Sequence, residues 1–270
     1  MKLCTRKTPS TDRHARDHER APRSGIRPYT PLSTLKPIAE GIWVVDGPII
    51  EMRFGPVSLP FPTRMVVIRL QAGGLWLWSP TAPTPELFAE IDALGPVEHL
   101  VSPNKVHYAS IPAWQQRYPQ ARAWASPGVR DRARSQKIEI DFAGDLEDQA
   151  PQEWAGEIEQ LVFRGSRFMD ELVFFHRASS TLILTDLVIA LERERVRSRL
   201  LRWIFVAVGA TWPGQTPREL RPTFWGRQAQ ARGCYERMLA FQPRQVLFAH
   251  GRCYLEDATE RLERAFAWLR

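Results

Sequence analysis

The sequence has no apolar run long enough to span a bilayer, and no apolar segment follows the charged residues at its start. The first absence argues against a transmembrane helix, and the second argues against a secretory signal peptide. Only three cysteines are present, Cys4, Cys234 and Cys253, and they lack CxxC spacing. An odd number of cysteines without such spacing favours free thiols, so we predict a protein of the reducing cytoplasm.

Positive charge is concentrated at the start of the chain. The 270 residues carry a net charge of +7, and residues 1–36 account for +6 of it, with nine basic against three acidic residues. This stretch is poor in apolar residues and contains several prolines and serines, which predicts a disordered basic tail over residues 1–34. Basic tails bind phosphates in some proteins, but no recognition motif accompanies this one. We therefore predict no specific nucleic-acid partner.

The remaining residues, 35–270, are predicted to form one folded domain. The chain is 44% hydrophobic and 25% charged, with ten tryptophans, so it can bury a sizeable core. Short apolar segments joined by close turns predict an antiparallel meander as far as Trp78. Strands that alternate with helices over residues 84–128 predict parallel βαβ units. The acidic stretch 141–151 is interpreted as a surface loop, and the chain is predicted to finish with a helix in 218–241, a strand and a closing helix.

The chain is organised around residues 171–186, ELVFFHRASSTLILTD. Two apolar strands, 172–175 and 181–185, are predicted on either side of a polar turn. Both are almost continuously apolar, so each is expected to be buried on both faces of a sheet. Asp186 stands where the second strand ends, and a buried acid costs free energy unless it is paired, hydrogen-bonded or bound to a cation. Taken alone, Asp186 is most simply interpreted as the N-cap of a following helix.

The segment 191–200 is strongly basic and amphipathic, and it continues into the apolar stretch 201–208. One interpretation is a helix that lies on a membrane surface. The interpretation that we favour is an ordinary amphipathic helix whose apolar end packs into the protein.

Polar side chains follow the ends of three predicted strands: Asn104 and His107, then Asp186, then His250. In open α/β sheets, ligands bind where strands reach their carboxyl ends. Two imidazoles and one carboxylate that converge there suit a divalent transition metal. Each histidine taken alone is better explained as a structural, hydrogen-bonded residue, so the prediction depends on their common placement.

The order of the elements and their local sequence resemble the metallo-β-lactamase-like fold. This is an α/β fold, an αββα sandwich in which two mixed sheets pack face to face with helices outside. Three segments carry the resemblance: TPELFAEIDALGPVEHLVSPNKVHYASIPAWQQRYPQARAWASPG, EWAGEIEQLVFRG and DELVFFHRASSTLILTDL. The resemblance covers about residues 35–255. Within the superfamily, the chain more closely resembles a branch of unknown function found in bacteria and plants. It implies one such domain over residues 35–270.

The metal motif of that superfamily is only partly present. An HxHxDH motif follows the first long helix in the superfamily, and its last histidine matches His107. The other three positions of the motif are then occupied by Ser102, Asn104 and Val106. The bridging aspartate matches Asp186, and the final histidine, usually followed by glycine, matches His250. The resemblance thus implies a degenerate motif that has lost its dinuclear centre.

A single Zn²⁺, Fe²⁺ or Mn²⁺ remains predicted at His107, Asp186 and His250. Asn104 or Glu171 would be an added ligand or a hydrogen-bond partner of a ligand. Arg167 lies near the position at which the superfamily has another metal-binding histidine. Cys253, three residues beyond His250, is interpreted as a buried thiol rather than a ligand.

Two classes of function follow. In the first, the protein is a mononuclear metal-dependent hydrolase of a small ester or phosphoester, in which the metal polarises the substrate and activates water. Catalytic roles are assigned to Asn104, Glu171 and Asp186, with Glu171 or Asp186 accepting the proton, and Arg167 would hold an anionic substrate. In the second class the fold is catalytically inactive, needs no cofactor, and binds a ligand or a partner through a hydrogen-bond network at the same residues.

Overall fold

Two β-sheets form the centre of the computed structural model, which describes residues 25–54 and 57–270. The first sheet contains, in spatial order, β1 (Leu35–Ala39), β2 (Ile42–Phe54), β3 (Val57–Arg69), β4 (Leu75–Trp78), β5 (Val97–Val101), β6 (Arg122–Ala125) and β7 (Phe142–Asp145). The second sheet contains β8 (Ile158–Phe163), β9 (Glu171–His176), β10 (Thr181–Leu184) and β11 (Gln245–Phe248), in the order β11-β10-β9-β8. Both sheets are mixed, because β4 to β7 pair in parallel in the first and β10 pairs in parallel with β11 in the second.

Helices cover the outer faces of both sheets. The helices of the described residues are α1 (Pro85–Leu94), α2 (Ile111–Arg117), α3 (Val129–Ser135), α4 (Arg199–Ala207), α5 (Gln228–Ala240) and α6 (Ala258–Ala265). The first three pack on the first sheet, and α5 and α6 pack on the second. This arrangement confirms the predicted αββα sandwich. Among the described residues, none of the helices has the length and apolar character to cross a membrane.

Aromatic side chains fill the layer between the two sheets. Trp76 of β4 is fully buried and meets the ring of Phe174 of β9 edge to face, with 5.0 Å between centroids. Trp154 contacts both Trp76 and Trp124, at 6.1 and 5.0 Å. Edge-to-face contacts of this kind add to the free energy gained by burying the ring area. Four of the ten tryptophans, Trp76, Trp78, Trp124 and Trp154, thus lie in this inter-sheet core.

The β9–β10 hairpin is buried on both faces, as its continuous apolar sequence predicts. Phe174 and Ile183 lie opposite each other and face the first sheet. The intervening side chains of both strands face α5 and α6 on the other side. Because β10 runs parallel to β11, with Leu184 beside Phe248, the two strands reach their carboxyl ends together. Asp186 and His250 follow those ends.

The prediction of a surface loop over residues 141–151 is wrong in its first part. Residues 142–145 form β7, the edge strand of the first sheet, parallel to β6. Phe142 packs into the layer of helices, whereas its neighbour Ala143 and Asp145 are exposed. An edge strand with one covered face has few apolar residues, which is why its sequence suggested a loop.

No helix follows Asp186, so the interpretation of Asp186 as an N-cap is wrong. The chain continues through isolated bridges and a 3₁₀ turn at Arg193–Arg195, and α4 begins only at Arg199. Ser198 is the N-cap of α4 and accepts a hydrogen bond from the N–H of Leu201. The helix predicted over 191–200 thus lies later in the chain. The helix predicted within 218–241 is present as α5, and a 3₁₀ turn, Arg221–Phe224, precedes it.

The basic tail predicted for residues 1–34 lies, for residues 1–24, outside the described residues. Residues 25–27 pair with residues 195–197 just before α4. Ile26 is buried there, with 1% of its surface exposed. Residues 25–27 therefore lie beside the start of α4.

Candidate metal centre

Three strand ends bring His107, Asp186 and His250 together. His107 lies in the segment after β5, Asp186 follows β10, and His250 follows β11. One ligand atom from each of the three residues lies within 4.8 Å of the others. The rings of the two histidines are 5.1 Å apart, measured between centroids. One carboxylate and two imidazoles at this spacing can surround a single divalent metal.

The tautomer of His250 is fixed by the backbone of β3. Its Nδ1 lies 2.6 Å from the carbonyl oxygen of Pro62, which can only accept, so Nδ1 carries a proton. Its Nε2 lies 3.2 Å from Oδ1 of Asp186, but this approach lacks hydrogen-bond geometry, and the buried Nε2 has no hydrogen-bond partner among the described residues. A neutral ring would point a lone pair at an anionic oxygen. The approach is favourable only if a proton or a metal cation lies between the two atoms.

His107 is held in a similar way. Its Nδ1 is hydrogen-bonded to the hydroxyl of Ser79, 2.8 Å away, at the end of β4. Its Nε2 lies 3.4 Å from Oδ2 of Asp186. Both histidines thus use Nδ1 for a protein contact that orients the ring and turn Nε2 towards the same carboxylate. Histidines that bind metals are commonly held in this way.

Asp186 is a carboxylate whose second oxygen is already hydrogen-bonded. Burial alone would raise the pKa of Asp186, but His107 and His250 outweigh burial and hold the pKa well below its usual range. Oδ2 accepts a hydrogen bond of 2.8 Å from the amide Nδ2 of Asn104. The amide oxygen of Asn104 accepts from the N–H of Val106, at 2.9 Å, which fixes the amide orientation. Asn104 therefore contacts the cluster as a donor to a ligand rather than through its oxygen.

Glu171 lies beneath the cluster and holds its backbone. Its Oε1 accepts from the N–H of Thr185 at 2.6 Å, and its Oε2 accepts from the N–H groups of Asp186 and Leu187 at 2.8 and 3.2 Å. Burial and the nearby charge of Asp186 raise the pKa of Glu171 to about 8, although the three N–H donors act in the opposite direction. With both oxygens occupied, Glu171 orients Asp186 and is poorly placed to take a proton from a substrate or to bind a metal.

A cavity of about 250 Å³ opens beside Asp186. It is lined mainly by apolar side chains. The lining residues are Met52, Phe61, Val106, Phe168, Met169, Asp186, Ile189, Pro217, Glu219, Leu220 and Thr223. Arg167, the predicted substrate-binding residue, is exposed and is not in this lining, and its guanidinium lies near Gly226.

A residue that the sequence analysis missed, Arg64, holds the loop that carries His250. Its guanidinium is buried and pairs with Asp46, with Nη2 2.7 Å from Oδ1. Nη1 donates to the carbonyl oxygens of Phe248 and Gly251, at 2.8 and 2.7 Å, on either side of His250. The signal was an arginine inside the apolar strand RMVVIRL, where a charge requires a partner.

Two other residues complete the His250 loop. Gly251 has φ +103°, and a Cβ atom at this position would lie 2.3 Å from the backbone of Ala190, so a side chain does not fit. Cys253 accepts from Nη1 of Arg64 at 3.2 Å and is not part of the His–Asp–His cluster. The loop is therefore fixed by backbone contacts and by the buried guanidinium of Arg64.

Solved structures with a similar fold include several metallo-β-lactamases. The enzyme from Erythrobacter litoralis matches with a TM-score of 0.59 and 14% identity, over 90% of this chain and 98% of that one. FIM-1 from Pseudomonas aeruginosa, solved in a mono-zinc form, matches with a TM-score of 0.57 and 13% identity, over 87% and 94% of the two chains. The enzyme from Hirschia baltica matches with a TM-score of 0.56 and 14% identity, over 87% and 96%. At this level of identity the likeness shows the fold alone.

Sequence comparison gives a family without an activity. No curated protein matches the chain. Residues 41–202, however, match the model of DUF4336, described as a domain of unknown function. The match includes His107 and Asp186 and ends before His250. Because it spans more than half of the chain, the protein belongs to the DUF4336 family.

Proposed function

We propose that the protein is a mononuclear metal-dependent hydrolase of a small ester, with His107, Asp186 and His250 as the metal ligands. The observation that carries the proposal is the unpartnered Nε2 of His250, which faces an anionic oxygen 3.2 Å away while Nδ1 donates to a carbonyl oxygen. One divalent cation would satisfy this nitrogen, the Nε2 of His107 and the carboxylate at once. Two imidazolium rings only 5.1 Å apart would instead repel each other.

The chemistry of the donor set fits a transition metal. Two imidazole nitrogens and one carboxylate with open positions suit Fe²⁺, Mn²⁺ or Zn²⁺. A metal held there would supply Lewis acidity towards an ester carbonyl and towards water. The mono-zinc form of FIM-1 supports the idea that this fold can hold a single ion.

The surrounding residues orient the ligands and bind the substrate. Asn104 fixes one oxygen of Asp186, Glu171 fixes its backbone, and Ser79 and the Pro62 carbonyl orient the two rings. Asp186 lines the cavity as a ligand that would face the substrate, whereas both oxygens of Glu171 accept from backbone N–H groups. The apolar lining would exclude water from the acyl or alcohol part of an ester.

The cavity favours a carboxylic ester over a phosphoester. Glu219 lies in the wall, its pKa is raised by burial, and the described residues of the lining include neither lysine nor arginine. A phosphoester would bring negative charge next to two carboxylates without a neutralising side chain. Arg167 would have to reach in from outside, so a role in binding anionic substrates remains a prediction without support from the cavity.

The experiment is elemental analysis of untagged protein, beside the double variant His107→Ala/His250→Ala. We expect about one equivalent of zinc, iron or manganese in the wild type and its loss in the double variant. His176→Ala is the matched control, since His176 is buried but bonded to Ser179 away from the cluster, and it should retain the metal. The wild type should then hydrolyse p-nitrophenyl butyrate faster than bis(p-nitrophenyl) phosphate.

Two results would contradict the proposal. A well-folded wild type that takes up no metal, even after incubation with each of the three ions, would leave the cluster as a hydrogen-bond network in a non-catalytic binding domain. A metal-loaded protein that cleaves no ester or phosphoester would remove the hydrolase assignment and keep the metal site.

A further inference from the structure

One carboxylate of the cavity beside Asp186 lies outside the His–Asp–His cluster. It belongs to Glu219, which lines the cavity and is also exposed to solvent, so it lies at the mouth. Apart from these two acids, the described lining has one polar residue, Thr223. The Thr223 hydroxyl donates to the carbonyl oxygen of Leu220 at 2.6 Å and contacts the Ser166 hydroxyl at 2.7 Å. Among the described lining residues, Glu219 is therefore the polar side chain left for a substrate.

The two arginines nearest to Glu219 in the sequence do not pair with it. Arg218 donates from Nη1 to the carbonyl oxygen of Ala207 at 3.0 Å, and Arg221 donates from Nε to that of Thr216 at 3.0 Å. Over the part of the chain that the structure describes, Glu219 forms no ion pair. Burial raises the pKa of Glu219, and the charge of Arg221 is a smaller opposing effect. A cation bound beside the carboxylate would reverse this shift.

The cavity also offers aromatic surface. Phe61 and Phe168 line it, and Phe168 has 48% of its surface exposed. The Phe168 ring already contacts one ammonium group, since Nζ of Lys105 lies 4.6 Å from the ring centroid. Aromatic faces attract quaternary ammonium groups as well. Lys105 is not among the described lining residues, so the charge of that lining remains negative.

We propose that the substrate is an ester that carries an ammonium group, and that Glu219 binds this group at the mouth of the cavity. The inference deepens the proposed function and rests on it, because the ester would have to reach the His107–Asp186–His250 cluster. The charge of Asp186 faces two histidines and, in the proposed site, a metal, whereas the charge of Glu219 is left for the ligand. A neutral ester would leave that charge unpaired, and an anionic ester would be repelled.

The rest of the cavity suits the apolar part of such a molecule. Met52, Ile189 and Leu220 contribute aliphatic surface to the wall. A volume of about 250 Å³ limits the substrate to a small molecule. Hydrolysis would join the oxygen of water to the acyl carbon and break the bond between that carbon and the ester oxygen. Of the two protons of water, one would go to the released alcohol and one to solvent, which leaves a carboxylate as the second product.

Two esters of the same shape test the inference. They are butyrylcholine and its neutral isostere, in which a tert-butyl group replaces the trimethylammonium group. Acid released by the metal-loaded protein gives kcat/KM for each, and we expect butyrylcholine to be preferred by about tenfold, the scale of one partly desolvated ion pair. Glu219→Gln should bring this ratio close to one, mainly by raising KM for butyrylcholine. The matched control is Glu236→Gln, which should keep the wild-type ratio because Glu236 is exposed on α5 and outside the lining.

A binding measurement separates this inference from the proposed function. The butyl ether of choline cannot be hydrolysed, and calorimetric titration measures its affinity whether or not the protein is an esterase. It should bind about tenfold more tightly than its tert-butyl isostere, and Glu219→Gln should remove the difference.

The outcomes of the two experiments distinguish the two claims. If both esters are cleaved equally well, or if the preference persists in Glu219→Gln, the ammonium inference is overturned and the hydrolase remains. If neither ester is cleaved but the choline ether binds with the expected preference, the hydrolase fails and the cation subsite at Glu219 stands. Equal binding of the two ethers would overturn the cation subsite.

Discussion

The two sides of the His107–Asp186–His250 cluster differ in how their polar groups are satisfied. On the side of Asn104, the polar groups are satisfied by hydrogen bonds to one another. Ser102 donates to the Asn104 carbonyl oxygen at 2.9 Å and contacts the Ser126 hydroxyl at 3.2 Å, while the Asn104 amide donates to Asp186. On the histidine side, the Nε2 atoms of His107 and His250 approach the same carboxylate, and the buried Nε2 of His250 has no hydrogen-bond partner among the described residues.

The two sides therefore have different roles: the Asn104 side supports the ligands, and the histidine side could bind a metal. The resemblance stated above places Ser102 and Asn104 at two histidine positions of the superfamily motif, and in this chain both belong to the closed network. His107, His250 and the second oxygen of Asp186 are the groups that could hold a cation. The site therefore has one half that could bind a metal and one half that supports it. Removing a residue from each half should have different consequences.

The largest effect is expected for Asp186→Asn, which removes the charge that both histidines share. Metal affinity should fall by about a thousandfold, because four-ligand zinc sites gain about 10–16 kcal/mol in total and one ligand carries a substantial share. The amide can donate a hydrogen bond to a histidine Nε2, so the variant should remain folded. Competition with a chromophoric chelator measures the affinity, and a variant that keeps wild-type affinity would show that Asp186 is not a ligand.

The next largest effect is expected for Arg64→Met, on the histidine side. The change leaves Asp46 buried with only Lys36 as a cation, 2.7 Å away, and removes the donor to two carbonyl oxygens around His250. Breaking a buried pair in this way costs about 3–5 kcal/mol in the free energy of unfolding. Denaturation in urea measures the loss. Arg69→Met, on the exposed face of the same strand, is the control and should change stability by less than about 1 kcal/mol.

The fold could be predicted because its signals are local. The apolar runs of β9 and β10 indicated strands covered on both faces, and alternation of strands with helices after Trp78 indicated parallel pairing. Asp186 and His250 could be placed together because both follow such strands. The edge strand β7 was missed, since a strand with one covered face and exposed residues such as Asp145 has no clear apolar pattern.

The details of the candidate site could not be predicted because they depend on distant backbone atoms. The carbonyl that fixes His250 belongs to Pro62, 188 residues earlier, and a carbonyl group has no signature in the sequence. Glu171 was assigned a catalytic role because it is an acid near the site, whereas the structure gives both its oxygens to backbone N–H groups. Arg167 was assigned to an anionic substrate because its guanidinium suits a carboxylate or a phosphate, and its exposed side chain lies outside the cavity lining.

A buried histidine away from the cluster, His99, provides a further contrast with His250. Its Nδ1 lies 3.2 Å from the indole nitrogen of Trp124, which donates to it, so the ring has a partner for its lone pair and needs no cation. Burial lowers the pKa of His99 from 6.5 to about 4, with a smaller opposing effect from Glu153 and a smaller lowering effect from Arg122. Between pH 6.5 and pH 4, His99 is therefore protonated in the unfolded chain and neutral in the folded protein.

Stability is accordingly expected to fall as the pH falls through this window. A folded pKa of about 4 against 6.5 corresponds to about 3 kcal/mol. Unfolding free energies of the wild type and of His99→Gln, measured in urea at several pH values, test this. The difference between the two proteins should change by about that amount between pH 7 and pH 4. A difference that is independent of pH would show that His99 titrates normally in the folded protein.

The smallest effect on metal binding is expected for the closed side of the cluster. Asn104→Ala removes the 2.8 Å hydrogen bond to Asp186, and loss of a partner that orients a ligand lowers metal affinity by about tenfold. Ser102→Ala is the matched control in the same network. It should cost about 1 kcal/mol of stability and leave metal affinity unchanged, because Ser102 contacts Asn104 only through the backbone carbonyl. If Asn104→Ala instead loses the metal as completely as Asp186→Asn, the amide is itself a ligand and the division of the site into a binding half and a supporting half fails.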